Sequence, residues 1–170
     1  IRELAHLVQR LHALTDQERG LTVNVGVVRG GTRANVIAAE AEAEVDVRIL
    51  SAADGDAITE AIHGLKPLTP GTSIAIDGGI QVPPLERTAR NRVLWHAATE
   101  AGRRLGLDLK EDISGGGSDG NTTSLFTATL DGLGPRGDGA HARHEHVVTE
   151  SLVERAALLA ELLMSPVESE

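Results

Sequence analysis

The sequence predicts an α+β fold in its first half and a parallel or mixed sheet packed with helices in its second. Three observations carry this. Residues 21–29 and 41–50 alternate apolar and polar side chains, the period of a strand with one buried face. Residues 1–19, 54–66, 86–106 and 149–163 carry apolar residues three and four apart, the period of an amphipathic helix. The order is helix, strand, strand, helix, strand, then helix, strand, helix, strand, helix. The first series suits helices on one face of an antiparallel sheet, and the second suits a sheet with helices packed on it.

The elements follow in order. In the first helix Leu4, Leu7, Val8, Leu11 and Leu14 share a face, His6 and His12 lie on the surface, and Gly20 ends the element. Leu21, Val23, Val25 and Val27 are the apolar face of the first strand. Ala43, Val45, Val47 and Ile49 are that of the second, with Glu42, Glu44, Asp46 and Arg48 on its polar face. Ile58, Ala61, Ile62 and Leu65 form the stripe of the next helix, which Pro67 stops. Thr72–Ile76 reads as a short strand, and a further strand before Ile1 would complete a split βαβ repeat. The Gly/Pro-rich stretch from Gly78 to Pro84 divides the chain at about residue 77. Beyond it Ala89, Val93, Leu94, Ala97, Ala101 and Leu105 form a helical face. Leu107–Ile113 and Thr127–Leu130 read as strands, and 121–126 as a short helical piece. The last stripe is Leu152, Ala156, Leu159 and Leu163, before an acidic tail from Pro166.

Composition removes several classes of function. Lys and Arg number 16 against 25 Asp and Glu, a net charge of −9, which opposes nucleic acid and anionic membrane surfaces. Aromatic residues are 1% of the chain, so base-stacking platforms are missing. With no cysteine there are neither disulfides nor thiolate metal sites. No run of about 18 apolar residues suits a membrane span. No signal-peptide pattern opens the chain, and a cytoplasmic location is expected. The chain begins inside a helical pattern, which predicts that sequence upstream of Ile1 belongs to the same protein.

Three loops hold the residue types that chemistry needs. Asp138-Gly-Ala-His141-Ala-Arg-His144-Glu145-His146 packs three histidines and two carboxylates into nine residues. Imidazole is the commonest metal ligand and titrates near neutral pH. The spacing of His141, His144 and His146 fits no helical zinc site, which wants ligands at i and i+4. Either one histidine is a ligand with partners elsewhere, for which the chain offers Asp119 or Asp138 nearby, or all three are solvated. Ser114-Gly-Gly-Gly-Ser118-Asp-Gly-Asn121 exposes backbone N–H groups that suit a carboxylate. It lacks the lysine of a phosphate-binding loop. The alternative is a tight structural turn. Gly30–Asn35 and Arg48 form the third group. Arg48 can clamp a carboxylate or pair with Asp46 or Glu44 on its own face, and Asn35 by itself reads as a turn residue.

Four motifs together resemble a known family: Gly30-Gly-Thr-Arg-Ala-Asn35-Val-Ile, Ala-Glu-Ala-Glu-Val-Asp-Val-Arg48, the glycine loop from Ser114, and Gly137-Asp-Gly-Ala-His141-Ala-Arg-His-Glu145-His-Val. In this order they resemble the glutamate carboxypeptidase, aminoacylase and succinyl-diaminopimelate desuccinylase metallopeptidases. The resemblance implies a lid, or dimerisation, domain over residues 1–77. That domain would be α+β, an antiparallel sheet with two helices and its first strand missing. Residues 78–170 would be the C-terminal portion of an α/β zinc-peptidase catalytic domain. The N-terminal catalytic half, with most metal ligands and the general-base glutamate, would lie outside the chain.

Carried over by position, His141 matches the family's last metal ligand. Asn35 matches a lid asparagine that reaches the substrate, and Arg48 matches the arginine that binds its carboxylate. Gly115, Gly116, Gly117 and Ser118 match the glycine loop lining the substrate site. His144 and His146 match no family ligand. Val82 stands where the carboxypeptidase branch often has arginine, which shifts the expected substrate from glutamate-like toward neutral or hydrophobic acyl-amino acids. The implied activity is hydrolysis of the amide bond of N-acyl amino acids or small peptides with a free carboxylate. Two zinc ions per complete active site would serve it, in a homodimer formed through the lid. The chain alone would be incomplete and inactive. Two other readings are a catalytically inactive dimerisation or binding module, and a metal-free anion-binding domain.

Overall fold

A computed structural model describes residues 1–114 and 116–165; Gly115 of the glycine loop and the acidic tail from Pro166 lie outside the described residues. The chain forms two compact units, Ile1–Leu85 and Glu86–Glu170.

The first unit is built on one hairpin. Strands β1 (Thr22–Gly30) and β2 (Ala41–Arg48) pair antiparallel, with Val23 opposite Val47 and Val25 opposite Val45. Beyond Val25 the register shifts, so that Gly26 is an extra residue, Val27 faces Glu44 and Val28 faces Ala43. One extra residue in a period of two exchanges the faces. Val27 was expected on the apolar face; the bulge puts it on the polar one, and Val28 takes its place beside Ala43 and Val45.

Helix α1 (Arg2–His12) is shorter than its periodicity predicts. The chain turns after His12 because Asp16 Oδ1 accepts the N–H groups of Glu18 and Arg19, at 3.1 and 3.2 Å. Asp16 then exchanges two backbone hydrogen bonds with Leu21, each 2.9 Å, and so aims the chain into β1. Gly20, at φ 66°, makes this turn possible, and a Cβ there would lie 2.3 Å from Leu50 Cδ1. Helix α2 (Ala52–His63) starts at Ser51, whose side chain accepts the Asp54 N–H. Leu11, Leu21, Val23 and Ile58 are the buried core, flanked by Leu14, Val25, Val47, Ile49, Ile62 and Leu65. Ala61, expected in the stripe, is exposed. Glu3 fixes α1 to the segment after α2 by accepting the N–H groups of Leu68 (3.0 Å) and Thr69 (2.7 Å).

Thr72–Ile76 joins no ladder among the described residues. A strand is a relation between two segments, and alternation in one of them cannot supply the partner. Leu107–Ile113 and Thr127–Leu130 form no ladder for the same reason.

The second unit packs α3 (Ala89–Arg104) against α5 (Glu150–Met164). Ala98, Ala101 and Leu158 are fully buried. The buried face of α3 is Asn91, Ala98, Ala101 and Gly102, so Ala89 and Val93 of the expected stripe face outward. On α5 the rotation is larger. Ser151 and Leu158 are buried, whereas Leu152, Ala156, Leu159 and Leu163 are exposed. The helix is apolar on more than one side, and periodicity picks the wider stripe rather than the packed one. A short helix α4 (Asp119–Thr123) and a ribbon of β3 (Gly137–Asp138) and β4 (His146–Val147) complete the unit.

Candidate functional site

The histidine loop is the crown of the β3–β4 ribbon. Gly137 pairs with Val147 and Asp138 with His146. Inside the loop the Ala142 N–H donates to the Gly139 carbonyl at 2.7 Å, and the Glu145 N–H donates to the Ala142 carbonyl at 3.1 Å. These turns need two left-handed residues, Gly139 at φ 76° and His141 at φ 66°. His141 is the one non-glycine residue at positive φ among the described residues. That conformation costs an L-residue roughly 1–2 kcal/mol. Such strained positions cluster at functional sites. The His141 side chain is exposed, as are those of His144 and His146.

The ribbon is pinned from below. The Arg136 N–H donates to Ser151 Oγ at 2.8 Å, and Ser151 Oγ donates to the Val148 carbonyl at 2.5 Å. The Val148 N–H returns to the Arg136 carbonyl at 2.8 Å. The Arg136 guanidinium reaches Glu154 at 3.1 Å. Spacing alone did not reveal this clamp, since Ser151 reads as an ordinary residue in the first turn of a helix.

In the glycine loop Gly116 donates its N–H to Ser114 Oγ at 3.2 Å, and Gly116 and Gly117 are exposed. Ser118 caps α4 in a reciprocal box with Asn121. Its Oγ accepts the Gly120 N–H at 3.0 Å and donates to Asp131 Oδ2. The hydroxyl proton of Ser118 is therefore committed within the protein. Asp131 went unremarked in the sequence, though Asp131-Gly132 is a turn signal.

In the first unit Asn35 is exposed, in a turn closed by the Val36 N–H on the Arg33 carbonyl at 3.1 Å. Its loop is rooted at Gly30 and Ala41. Arg48 closes the other end of the ladder, opposite Thr22. Arg48 Nε meets Asp46 Oδ2 at 3.2 Å, with both side chains more than half exposed, a pair water readily opens. On the same face Arg29 binds Glu44 at 2.6 Å and Glu42 at 3.3 Å, which raises its pKa further above the usual arginine range.

Among the described residues no group of three or more His, Asp or Glu is placed to hold a metal ion. A metal centre needs about three or four protein ligands, so the described residues build none by themselves.

Residues 1–65 match the peptidase dimerisation domain of the M20 family. No curated protein sequence is significantly similar to the chain. Among solved structures it is similar to the YXEP protein of Bacillus subtilis, a dinuclear metal-binding peptidase of the M20 family. The TM-score is 0.72 at 22% identity, covering 95% of this chain and 44% of that one. A tripeptidase of Staphylococcus aureus gives 0.62 at 23% identity, covering 95% and 43%. The aminopeptidase PepT of Bacillus cereus gives 0.58 at 19% identity, covering 93% and 44%. The chain thus spans less than half the length of each, and at these identities the likeness is one of fold. Residues 1–65 thus carry a peptidase dimerisation domain, and the chain shares the fold of M20-family peptidases.

Proposed function

We propose that this chain is part of a zinc-dependent amidohydrolase that cleaves N-acyl amino acids or small peptides bearing a free carboxylate, in the manner of carboxypeptidases and aminoacylases. The observation that supports this most directly is His141, an exposed imidazole held at positive φ on a ribbon clamped to α5. In this reading His141 is one metal ligand. The other ligands and the general base come from outside these 170 residues, and the chain alone has no activity. Arg48 exchanges Asp46 for the substrate carboxylate, which costs little at an exposed pair. Asn35 orients the group to be cleaved. Gly115, Gly116 and Gly117 offer backbone N–H groups, and Ser118 holds the loop in place. Val82 favours a neutral or hydrophobic acyl side. Residues 1–65 form the homodimer contact, and the enzyme works in the cytoplasm.

The test is elemental analysis of the full-length protein together with turnover of a panel of N-acyl amino acids. Two zinc ions per active site and carboxylate-dependent turnover are expected. His141→Ala should lose metal and nearly all activity. A His141→Ala protein with unchanged metal content and turnover would overturn the assignment.

A second reading is a module that dimerises without catalysis, which the match of residues 1–65 to a peptidase dimerisation domain supports. A stable dimer with neither metal nor turnover at full length would establish that reading.

A further inference from the structure

Helix α4, which the glycine loop enters, is five residues long and buries none of them. A helix that short does not hold its own shape in water, so its place is set by what is bonded to it from outside. It is held at both ends and in between. At its start Ser118 Oγ donates to Asp131 Oδ2. In its last turn the hydroxyls of Thr123 and Thr129 meet at 3.2 Å. Just past its end the Ser124 carbonyl accepts the Arg90 guanidinium of α3.

Two of these bonds start from the stretch 129–131, and that stretch is itself fixed. The Thr129 N–H donates to Asn91 Oδ1 at 2.9 Å. Asn91 is buried, and its Nδ2 donates to the Glu86 carbonyl at 2.9 Å. With both ends of its amide engaged, Asn91 has one orientation. Asp131 Oδ1 accepts the Gly132 N–H at 2.7 Å, so both oxygens of this carboxylate are engaged and Oδ2 is aimed at Ser118. Ser118 in turn accepts the Gly120 N–H at 3.0 Å, and its own N–H donates to Asn121 Oδ1 at 2.8 Å. A serine hydroxyl has three staggered positions open to it, and the bond to Asp131 selects one. The residues before Ser118 are glycines, which restrict the backbone least. Order in this loop therefore comes from its fixed exit.

We propose that Asp131 is a positioning residue for substrate binding. Through the Ser118 hydroxyl it latches the exit of the glycine loop, so that Gly116 and Gly117 present their main chain to a carboxylate in one arrangement. Asp131 itself touches no substrate. The inference rests on the glycine loop as a carboxylate site, the reading given under the proposed function, and names the residue that prepares that site. Holding a loop ready in advance removes ordering entropy from the cost of binding.

The test is a double-mutant cycle in the full-length enzyme, with N-acyl amino acids as substrates. Asp131→Ala should raise KM about tenfold while kcat holds, the effect of one lost hydrogen bond to a charged group. Asp131→Asn keeps an accepting oxygen for Ser118 and should recover most of that loss. In a Ser118→Ala background Asp131→Ala should add nothing, because the two residues act as one unit. Additive losses, or an Asp131→Asn protein as impaired as Asp131→Ala, would overturn the proposal. Amide exchange supplies a readout that needs no turnover. In Asp131→Ala it should quicken in 116–123 and stay unchanged in 150–164. Unchanged exchange in 116–123 would overturn the latch whatever the kinetics. If the parent enzyme turns over no N-acyl amino acid, the amidohydrolase reading falls, and the exchange result alone decides the latch.

Discussion

The hydroxyl of Ser151 and the backbone N–H of Arg136 meet at 2.8 Å, and through that bond helix α5 sets the position of the histidine ribbon. The hydroxyl is fully buried and serves two backbone groups at once.

Replacing Ser151 by alanine would leave the Arg136 N–H and the Val148 carbonyl one partner short. Leaving a buried polar group unpaired costs about 1–3 kcal/mol. Urea unfolding of Ser151→Ala should show a loss of that size, and amide exchange should quicken in 137–147 more than in α3. An unchanged midpoint and unchanged exchange would mean that the ribbon is held elsewhere.

His141 separates structure from chemistry. Glycine occupies positive φ without the roughly 1–2 kcal/mol penalty of an L-residue. His141→Gly should therefore fold at least as well as the parent in thermal melts. It should nonetheless lose metal and activity in the full-length enzyme as fully as His141→Ala. A His141→Gly protein that is both destabilised and active would contradict both parts.

Arg48→Ala should leave stability within about 0.5 kcal/mol, because exposed ion pairs contribute little. If Arg48 takes the substrate carboxylate, KM for N-acyl amino acids should rise about tenfold or more while kcat holds, the pattern of lost uniform binding. The same rise with an amidated substrate would remove the carboxylate from the explanation.

Glu3 gives a dependence on pH. Hydrogen bonds from Thr69 and then from the Leu68 N–H lower its pKa from the ordinary 4.5 to about 2. A carboxylate whose pKa is lower folded than unfolded contributes its full stability above the unfolded value, and the contribution fades as pH falls through the folded one. Thermal melts should therefore show stability falling between about pH 4.5 and 2. Glu3→Gln should flatten that fall. A parallel profile in the variant would assign the acid loss to other carboxylates.

The sequence displayed some of this and hid the rest for definite reasons. Leu11, Leu21, Val23 and Ile58 were legible as core because helix and strand periods place them on inward faces. The dimerisation-type fold and the M20 resemblance were legible in the motifs around Asn35, Arg48 and His141. Val27 was misplaced because one glycine can occupy a strand either as a member or as an insertion, and only the partner's register decides. The packed face of α5 was missed because Leu152, Leu159 and Leu163 outweigh Ser151 on any hydropathy scale, although the serine lies inside. The family resemblance offered Ser118 as a substrate contact, and nothing local showed that its proton goes to Asp131, thirteen residues away.

The extra residue at Gly26 has a consequence for anyone who edits this hairpin. It divides β1 into two stretches of opposite parity. With Gly26 removed, Val25, Val27 and Val28 would face Val45, Glu44 and Ala43 in an unbroken ladder. The deletion would heal the pleat instead of shifting it, so the cut best tolerated lies at the residue of the strand that has no partner.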